Sequence, residues 1–159
     1  MGEPVVDHVS TDAVTSVITD IVTRRHGLAV LTVHGAGTRM VSTLVNAGVF
    51  RHPGTGEPVI AHVAMGTARR VGHLTAEPSA TLVFPDGHRW IAVEGTATLI
   101  GPDHPHPAVA PEAVAPLLRD IYRAAGGGEH PDWDEYDRVM AEGRRLAVLV
   151  SVDRAYGNH

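Results

Sequence analysis

The sequence of 159 residues contains no cysteine and no lysine. Without cysteine it can form no disulfide, no thiolate metal site and no cysteine nucleophile. Without lysine, all 13 basic residues are arginine, and a Schiff-base mechanism is excluded. Aromatic residues make up only 4% of the chain. The core must therefore be built from aliphatic residues, and few rings remain for stacking on a planar ligand.

The chain also lacks an excess of positive charge and long apolar runs. The net charge is -5, which argues against nucleic acid as a partner, because duplex binding needs a broad basic surface. No apolar run approaches the roughly 20 residues of a membrane span, and residues 1–4 lack the features of a signal peptide. We therefore expect a cytoplasmic protein with one domain, residues 1–159.

The order of elements predicts an α+β fold whose sheet is mostly antiparallel. Ser10 or Thr11 caps a first helix that ends at Gly27. Further helices are predicted over residues 68–77, 112–125 and 132–142, the last with a capping box of Asp132 and Glu135. Strands are predicted over residues 28–33, 39–47, 58–64, 80–84, 89–100 and 145–152. Hairpins dominate, so a barrel with peripheral helices fits best.

A candidate anion site lies at the start of the second helix. Arg69 and Arg70 follow Thr67, and a helix N-terminus offers free N–H groups and positive dipole potential. Two guanidiniums beside a hydroxyl would complete a phosphate cradle. The alternative is a solvated pair of surface arginines, since adjacent arginines are common on helices.

Two other segments could contribute to a ligand site. The strand 39–46 carries Ser42, Thr43 and Asn46 within an apolar alternation, and these groups could bond the polar edge of a ring system. Ordinary sheet packing explains them equally well. Trp90 could cover a cofactor or anchor a subunit interface, or be an ordinary barrel aromatic.

Histidine and glycine motifs give little support to other functions. His104, His106 and His130 have no third ligand at metal-site spacing, so no metal is expected. The triglycine 126–128 follows a helix rather than a strand, so it is interpreted as a helix stop plus a flexible link and not as a dinucleotide loop.

The ordered motifs resemble the pyridoxamine 5′-phosphate oxidase-like superfamily, and in particular its actinobacterial flavin- and deazaflavin-dependent oxidoreductases. Residues 39–41 (Arg-Met-Val) resemble the start of an oxidase strand. Arg69 and Arg70 fall where the family has a basic pair. Residues 91–95 (Ile-Ala-Val-Glu-Gly) resemble its Val-x-Val-Glu-Gly strand, and residues 154–157 its closing Arg-Val-Tyr-Gly.

This resemblance implies a homodimeric, six-stranded split β-barrel with a flavin-type cofactor at the interface. The cofactor would be coenzyme F420 or, alternatively, FMN. Arg39, Arg69 and Arg70 would meet its phosphate, and Trp90 would lie on the cofactor side. With the predicted cradle, the expected cofactor-binding residues are Arg39, Val41, Ser42, Thr43, Val63, Ala64, Thr67, Arg69, Arg70 and Trp90.

Two departures argue against pyridoxamine phosphate as the substrate. Leu44 replaces the strand lysine of true oxidases, and Ala68 replaces their phosphate-binding serine. The expected function is therefore F420-dependent hydride transfer to an unknown small molecule. An FMN oxidoreductase and a non-catalytic carrier of flavin, F420 or heme remain as alternatives. No catalytic residue is assigned, because His62 and His73 would be arbitrary choices for a proton donor.

Overall fold

The computed structural model describes residues 10–159, so the amino-terminal segment considered above lies outside the described residues. The helices are α1 (Thr11–Arg25), α2 (Arg69–Ala76), α3 (Val114–Tyr122) and α4 (Trp133–Glu142). A 3-10 turn, Pro111–Ala113, precedes α3, and a π-helical turn, Arg123–Gly127, follows it. The strands are β1 (Leu28–His34), β2 (Met40–Arg51), β3 (Pro58–Ala64), β4 (Ser79–Asp86), β5 (Arg89–Ile100), β6 (Leu146–Ser151) and β7 (Arg154–Gly157).

Six of these strands close an antiparallel barrel in the order β4-β1-β2-β3-β6-β5, with β4 and β5 also paired. The seventh strand, β7, pairs with β5 outside the barrel. Strand β2 changes partner halfway along: it pairs with β1 through Asn46 and with β3 from Ala47 onward. Beyond the Ala47–His62 pair, β2 and β3 diverge and the wall splits. The predicted α+β split barrel is confirmed.

Two apolar clusters occupy the inside and the outside of the barrel wall. The interior cluster joins the inward residues of the strands to the buried face of α1. The second cluster lies between the outer face of β3 and β6 and the helices α3 and α4. Along β6 the two faces alternate, with Val148 inside and Ala147 and Leu149 outside. This alternation follows from the two-residue period of a strand.

Most predicted elements lie where the pattern placed them, with three differences. Strand β2 continues to Arg51, because its second half keeps the alternation while pairing with β3 instead of β1. The final strand β7 was missed, since four residues are too short to show a period. The predicted helix over 112–125 is divided into a 3-10 turn, α3 and the π-helical turn.

The predicted N-caps are confirmed, but only half of the predicted capping box forms, because the Asp132 amide donates to His130 Nδ1 instead of the Glu135 carboxylate. The Ser10 hydroxyl accepts a hydrogen bond from the Ala13 amide at 3.3 Å, and Asp132 accepts one from the Glu135 amide at 3.0 Å. Helix α1 ends on His26 in the left-handed region, at φ 55°. Within residues 10–159, no helix is long and apolar enough to cross a membrane.

Candidate functional site

A half-open cleft of about 510 Å³ lies where β2 and β3 diverge. This volume is in the range of small-molecule sites. The lining residues come from the split strands, α2, α3 with its π-helical turn, α4 and the segment before β6. They are His26, Leu44, Val45, Asn46, Val63, Arg70, Ile121, Tyr122, Ala125, Gly126, Gly127, Tyr136, Met140 and Arg145.

The π-helical turn forms one wall of this cleft because two glycines let it approach the strands. A Cβ on Gly48 would lie 1.9 Å from the carbonyl oxygen of Ala124, and one on Gly27 would lie 2.1 Å from that of Ala125. Gly126 adopts φ 88°, a conformation that favours glycine. The predicted helix stop is therefore real, but Gly126 is packed against the chain at His26 rather than forming a loose link.

Aromatic side chains gather beside this wall despite their scarcity. Tyr122, Trp133, Tyr136 and His130 form a cluster whose ring centroids lie 5.2–5.8 Å apart. Tyr122 and Tyr136 also line the cleft. The Tyr136 hydroxyl donates a 3.1 Å hydrogen bond to the carbonyl of Leu118, and burial raises the pKa of Tyr136 to about 12. Tyr136 therefore stays protonated at neutral pH.

Arg70 and Arg145 bring positive charge to the cleft. The Nε atom of each guanidinium is buried and has no hydrogen-bond partner among the described residues. Burial lowers the pKa of Arg70, and the charge of Arg145 lowers it further. Within residues 10–159, no aspartate or glutamate lines the cleft. The described part of the chain therefore brings two like charges to the cleft without a counterion, an arrangement that an anion would stabilise.

A contact between two turns fixes these arginines near each other. The Gly66 amide, just before α2, donates a 3.1 Å hydrogen bond to the carbonyl of Gly143. A Cβ on Gly66 would lie 2.6 Å from the carbonyl oxygen of Arg144, so the two turns are in close contact. Arg70 and Arg145 follow these two turns. Their proximity is therefore set by the backbone rather than by a side-chain interaction.

His62 lies inside the barrel, behind the cleft. It is fully buried, and neither ring nitrogen has a hydrogen-bond partner in the described structure. Burial, together with the charge of Arg70, lowers the pKa of His62 to about 3. His62 is therefore neutral at physiological pH.

The start of α2 is only partly arranged as the predicted anion site requires. Its N-cap is Ala68, which provides no side-chain hydrogen bond. Arg70 lines the cleft, whereas Arg69 and Thr67 are exposed. Among the other expected site residues, Val63 lines the cleft and Ala64 is buried in the barrel interior.

The remaining expected residues lie elsewhere on the barrel. Ser42 faces outward and its hydroxyl is 2.8 Å from that of Thr32, while Val41 packs against the interior cluster. Thr43 is half-buried and Arg39 is exposed. Trp90 packs edge-on against Tyr156, with ring centroids 6.0 Å apart. Within a single chain, these residues therefore do not line the cleft.

Two further hollows differ in character from the cleft. One, on the outer face of β1, β4 and β5, is lined by charges of both signs, Glu94, Asp153 and Arg154, among other residues. The other lies along the proline-rich connector and includes His104 and His106.

The loop histidines close turns. The Nδ1 atoms of His52, His106 and His130 each accept a hydrogen bond from the backbone amide two residues later, at 3.0–3.1 Å. An Nδ1 atom that accepts a bond leaves the proton on Nε2. No group of three or more metal-ligating side chains is found in residues 10–159.

The sequence patterns did not reveal Arg145, Tyr122 or Tyr136 as site residues. Tyr122 lies within the predicted helix 112–125, and Arg145 begins the predicted strand 145–152. The sequence does contain one indication of this site. Aromatic residues are scarce in the chain, yet Tyr122, Trp133 and Tyr136 lie within fifteen residues of one another.

No family model matches the sequence, but solved structures share the fold. A conserved hypothetical protein from Mycobacterium tuberculosis matches with a TM-score of 0.66 and 16% identity, over 99% of this chain and 89% of that chain. A pyridoxamine 5′-phosphate oxidase-related, FMN binding protein from Nostoc punctiforme matches with a TM-score of 0.64 and 13% identity, over 92% and 84%. An F420 reductase matches with a TM-score of 0.57 and 10% identity, over 84% and 92%. The chain has the split-barrel fold of the pyridoxamine 5′-phosphate oxidase-like proteins.

Proposed function

We propose that the protein binds a phosphate-bearing flavin-type cofactor, F420 or FMN, in the cleft and acts as an oxidoreductase on a small organic molecule. The observation that carries this proposal is the pair of guanidiniums in the cleft, for which residues 10–159 supply no acidic lining residue. Tyrosine rings line the same cleft, so an anionic group and a planar ring system would each find a suited surface. The names of the solved FMN binding protein and F420 reductase with this fold agree with this choice.

The residues of this chain would bind and orient the cofactor. Arg70 would hold its phosphate, with Arg69 and Thr67 near the start of α2 as further candidates. Val63 and the backbone at the split would support the ring, and Tyr122 would cover one side. When bound, the cofactor would supply the hydride, and apolar lining residues such as Val45 and Ile121 would shield part of it from water.

Arg39 and the first half of β2 would reach a cofactor only through a second copy. Arg39 precedes Leu44 by five residues, or about 17 Å along a strand. Met40 and Leu44 are 57% and 64% exposed, and Leu44 also borders the cleft. We propose that this apolar face forms a homodimer, which would place Arg39, Ser42 and Thr43 near a cofactor. Sedimentation of the wild type should show a dimer and that of Leu44→Glu a monomer; a monomeric wild type would contradict this.

Binding of the purified protein to F420 and to FMN tests the cofactor. We expect submicromolar affinity for at least one of them in an equilibrium titration. Binding of neither would refute the proposal. With the reduced form bound, a quinone or enone acceptor should take up a hydride from the cofactor and a proton from solvent, and the oxidised cofactor should appear in its absorption spectrum.

A non-catalytic carrier is the second candidate. The observation that favours it is the Tyr136 hydroxyl, which lies at the cleft but donates its hydrogen bond to the carbonyl of Leu118 and is therefore not free to protonate a substrate. Tight cofactor binding without reduction of any acceptor would support the carrier.

A further inference from the structure

We propose that His26 donates the proton that completes the reduction of an enone bound in the cleft. The inference rests on the proposed function, because it names the side chain that supplies a proton to an acceptor that has received a hydride. His26 is then a catalytic residue, and it touches the substrate rather than the cofactor phosphate. An enone fits this role, since hydride addition leaves it as an enolate that must take up a proton.

The first argument is the chemistry of the side chains in the cleft. Arg70 and Arg145 hold their protons throughout the physiological range. A phenol loses its proton only near about pH 10, so Tyr122 and Tyr136 are weaker acids than an imidazolium. Histidine gains and loses a proton near neutral pH. His26 is the only histidine among residues 10–159 that lines the cleft.

The second argument is the backbone at His26, which fixes where its imidazole lies. His26 follows α1 with φ 55° and ψ 33°, in the left-handed region that glycine or asparagine usually occupies at a helix end. Its carbonyl oxygen accepts a 2.8 Å hydrogen bond from Nδ2 of Asn46. A Cβ on Gly126 would lie 2.8 Å from the carbonyl carbon of His26. Strand β2 and the π-helical turn therefore hold His26 in a costly conformation, and residues held in this way concentrate at active sites.

The third argument is that the imidazole of His26 is free to act. The loop histidines His52, His106 and His130 use their Nδ1 atoms to close turns, and His62 is fully buried. The ring of His26 makes no hydrogen bond to any of residues 10–159. The residue is also exposed. Contact with solvent lets the imidazole regain a proton after each turnover.

The proton transfer balances the hydride transfer in atoms and electrons. A hydride that reaches the β-carbon of the enone leaves an electron pair shared between the α-carbon and the carbonyl oxygen. The imidazolium of His26 gives its N–H proton to this enolate, which becomes the saturated ketone. The neutral imidazole then takes a proton from solvent. The enone gains two electrons and is reduced, and the cofactor that gives up the hydride is oxidised.

A phenolate tests the proton donor without any cofactor. The probe para-nitrophenolate is planar and carries its negative charge on an oxygen, as an enolate does, and its absorption reports binding. We expect it to bind the cofactor-free protein and to shift the NMR resonances of the His26 ring, which are assigned by their loss in His26→Asn. Unchanged His26 resonances would overturn the inference.

His26→Asn tests the residue, and His88→Asn is the matched control. Asparagine tolerates the left-handed conformation, so the turn after α1 is kept. His88 undergoes the same change on the exposed turn between β4 and β5. His26→Asn should bind the phenolate at least about tenfold more weakly, since a hydrogen bond to a charged group is lost. His88→Asn should bind it like the wild type, and equal binding by both variants would contradict the inference.

Turnover of the loaded protein gives a second measurement. With cyclohexenone as the acceptor, His26→Asn should have a kcat lower by about a hundredfold or more, as is typical when a general acid is lost. Its affinity for F420 or FMN should be unchanged. Added imidazole should restore part of the kcat of His26→Asn and leave that of His88→Asn as it is. Weakened cofactor binding without rescue by imidazole would show a structural role and overturn the inference.

The outcomes separate this inference from the proposed function. If the wild type binds neither F420 nor FMN but binds the phenolate through His26, the cofactor proposal fails and His26 is supported as the proton donor of the cleft. If the wild type and His26→Asn reduce cyclohexenone equally well, the proposed function stands and this inference is overturned. Cofactor binding without any reduction supports the carrier and also overturns the inference.

Discussion

The replacement Gly48→Ala tests whether the cleft wall depends on direct contact between two backbones. Gly48 lies in the second half of β2, and the π-helical turn after α3 rests on it. A Cβ at this position would lie 1.9 Å from the carbonyl oxygen of Ala124 and 2.5 Å from its carbonyl carbon. Both are backbone atoms, so no flexible side chain can turn away. The π-helical turn, or β2 itself, must move.

The size of the effect follows from this overlap. Overpacking a well-packed interior typically destabilises by about 1–3 kcal/mol. Since the clash is with backbone, we expect the upper part of this range, about 2–3 kcal/mol. For a domain of this length each kcal/mol lowers the thermal midpoint by about 2–4 °C. The expected decrease is therefore about 4–12 °C.

Thermal unfolding followed by circular dichroism, at one protein concentration, measures this decrease. Gly72→Ala is the matched control, because a Cβ on Gly72 in α2 would meet nothing within 4 Å. Alanine is favoured over glycine within an exposed helix by up to about 1 kcal/mol, so this control should raise the midpoint. If both variants shift the midpoint in the same direction by similar amounts, the packing argument is wrong.

Three further stability predictions follow from single side chains. The folded state holds Tyr136 protonated up to about pH 12, whereas the unfolded chain loses that proton near pH 10. The free energy of unfolding should therefore fall as the pH rises between these values, and it should fall less steeply in Tyr136→Phe, where only the raised pKa of Tyr156 still contributes. At neutral pH, Tyr136→Phe should lose about 1 kcal/mol with the bond to Leu118. In the folded state His62 stays neutral down to about pH 3, whereas in the unfolded chain it takes up a proton near pH 6.5. As the pH is lowered from about 6.5, the free energy of unfolding should therefore decrease by up to about 1.4 kcal/mol per pH unit. Chemical denaturation at several pH values should show a smaller decrease for His62→Leu. Asp132→Ala removes the N-cap of α4 and should cost about 1 kcal/mol, or about 2–4 °C in the thermal midpoint.

Much of the fold could be predicted because strand alternation, caps and turns are local. Strands β3 and β5 have the predicted bounds, since Pro58 and the turn at Gly87 mark where they begin. The partner exchange of β2 could not be predicted in this way. Its residues alternate without a break at Asn46, and only the positions of β1 and β3 in space decide which strand each half joins.

The site was less predictable than the fold. Arg70, one of the two adjacent arginines that predicted an anion site, lines the cleft. Arg145 lines it as well, although it lies 75 residues after Arg70 in the sequence. That approach depends on the Gly66–Gly143 contact, which leaves no periodic signal. Trp90 stays a predicted cofactor-side residue; within one chain its ring packs edge-on against Tyr156 and does not line the cleft.

The two walls of the cleft should differ in stiffness. On one side the π-helical turn touches β2 backbone to backbone, through glycines that leave no side chain to rearrange. On the other side α4 reaches the cleft through side chains; Tyr136 is held by its bond to Leu118, but Met140 can change rotamer. A ligand wider or narrower than the cleft is therefore expected to be accommodated by α4, while the barrel wall keeps its shape. The barrel would fix where a ligand binds, and α4 would set how many different ligands fit.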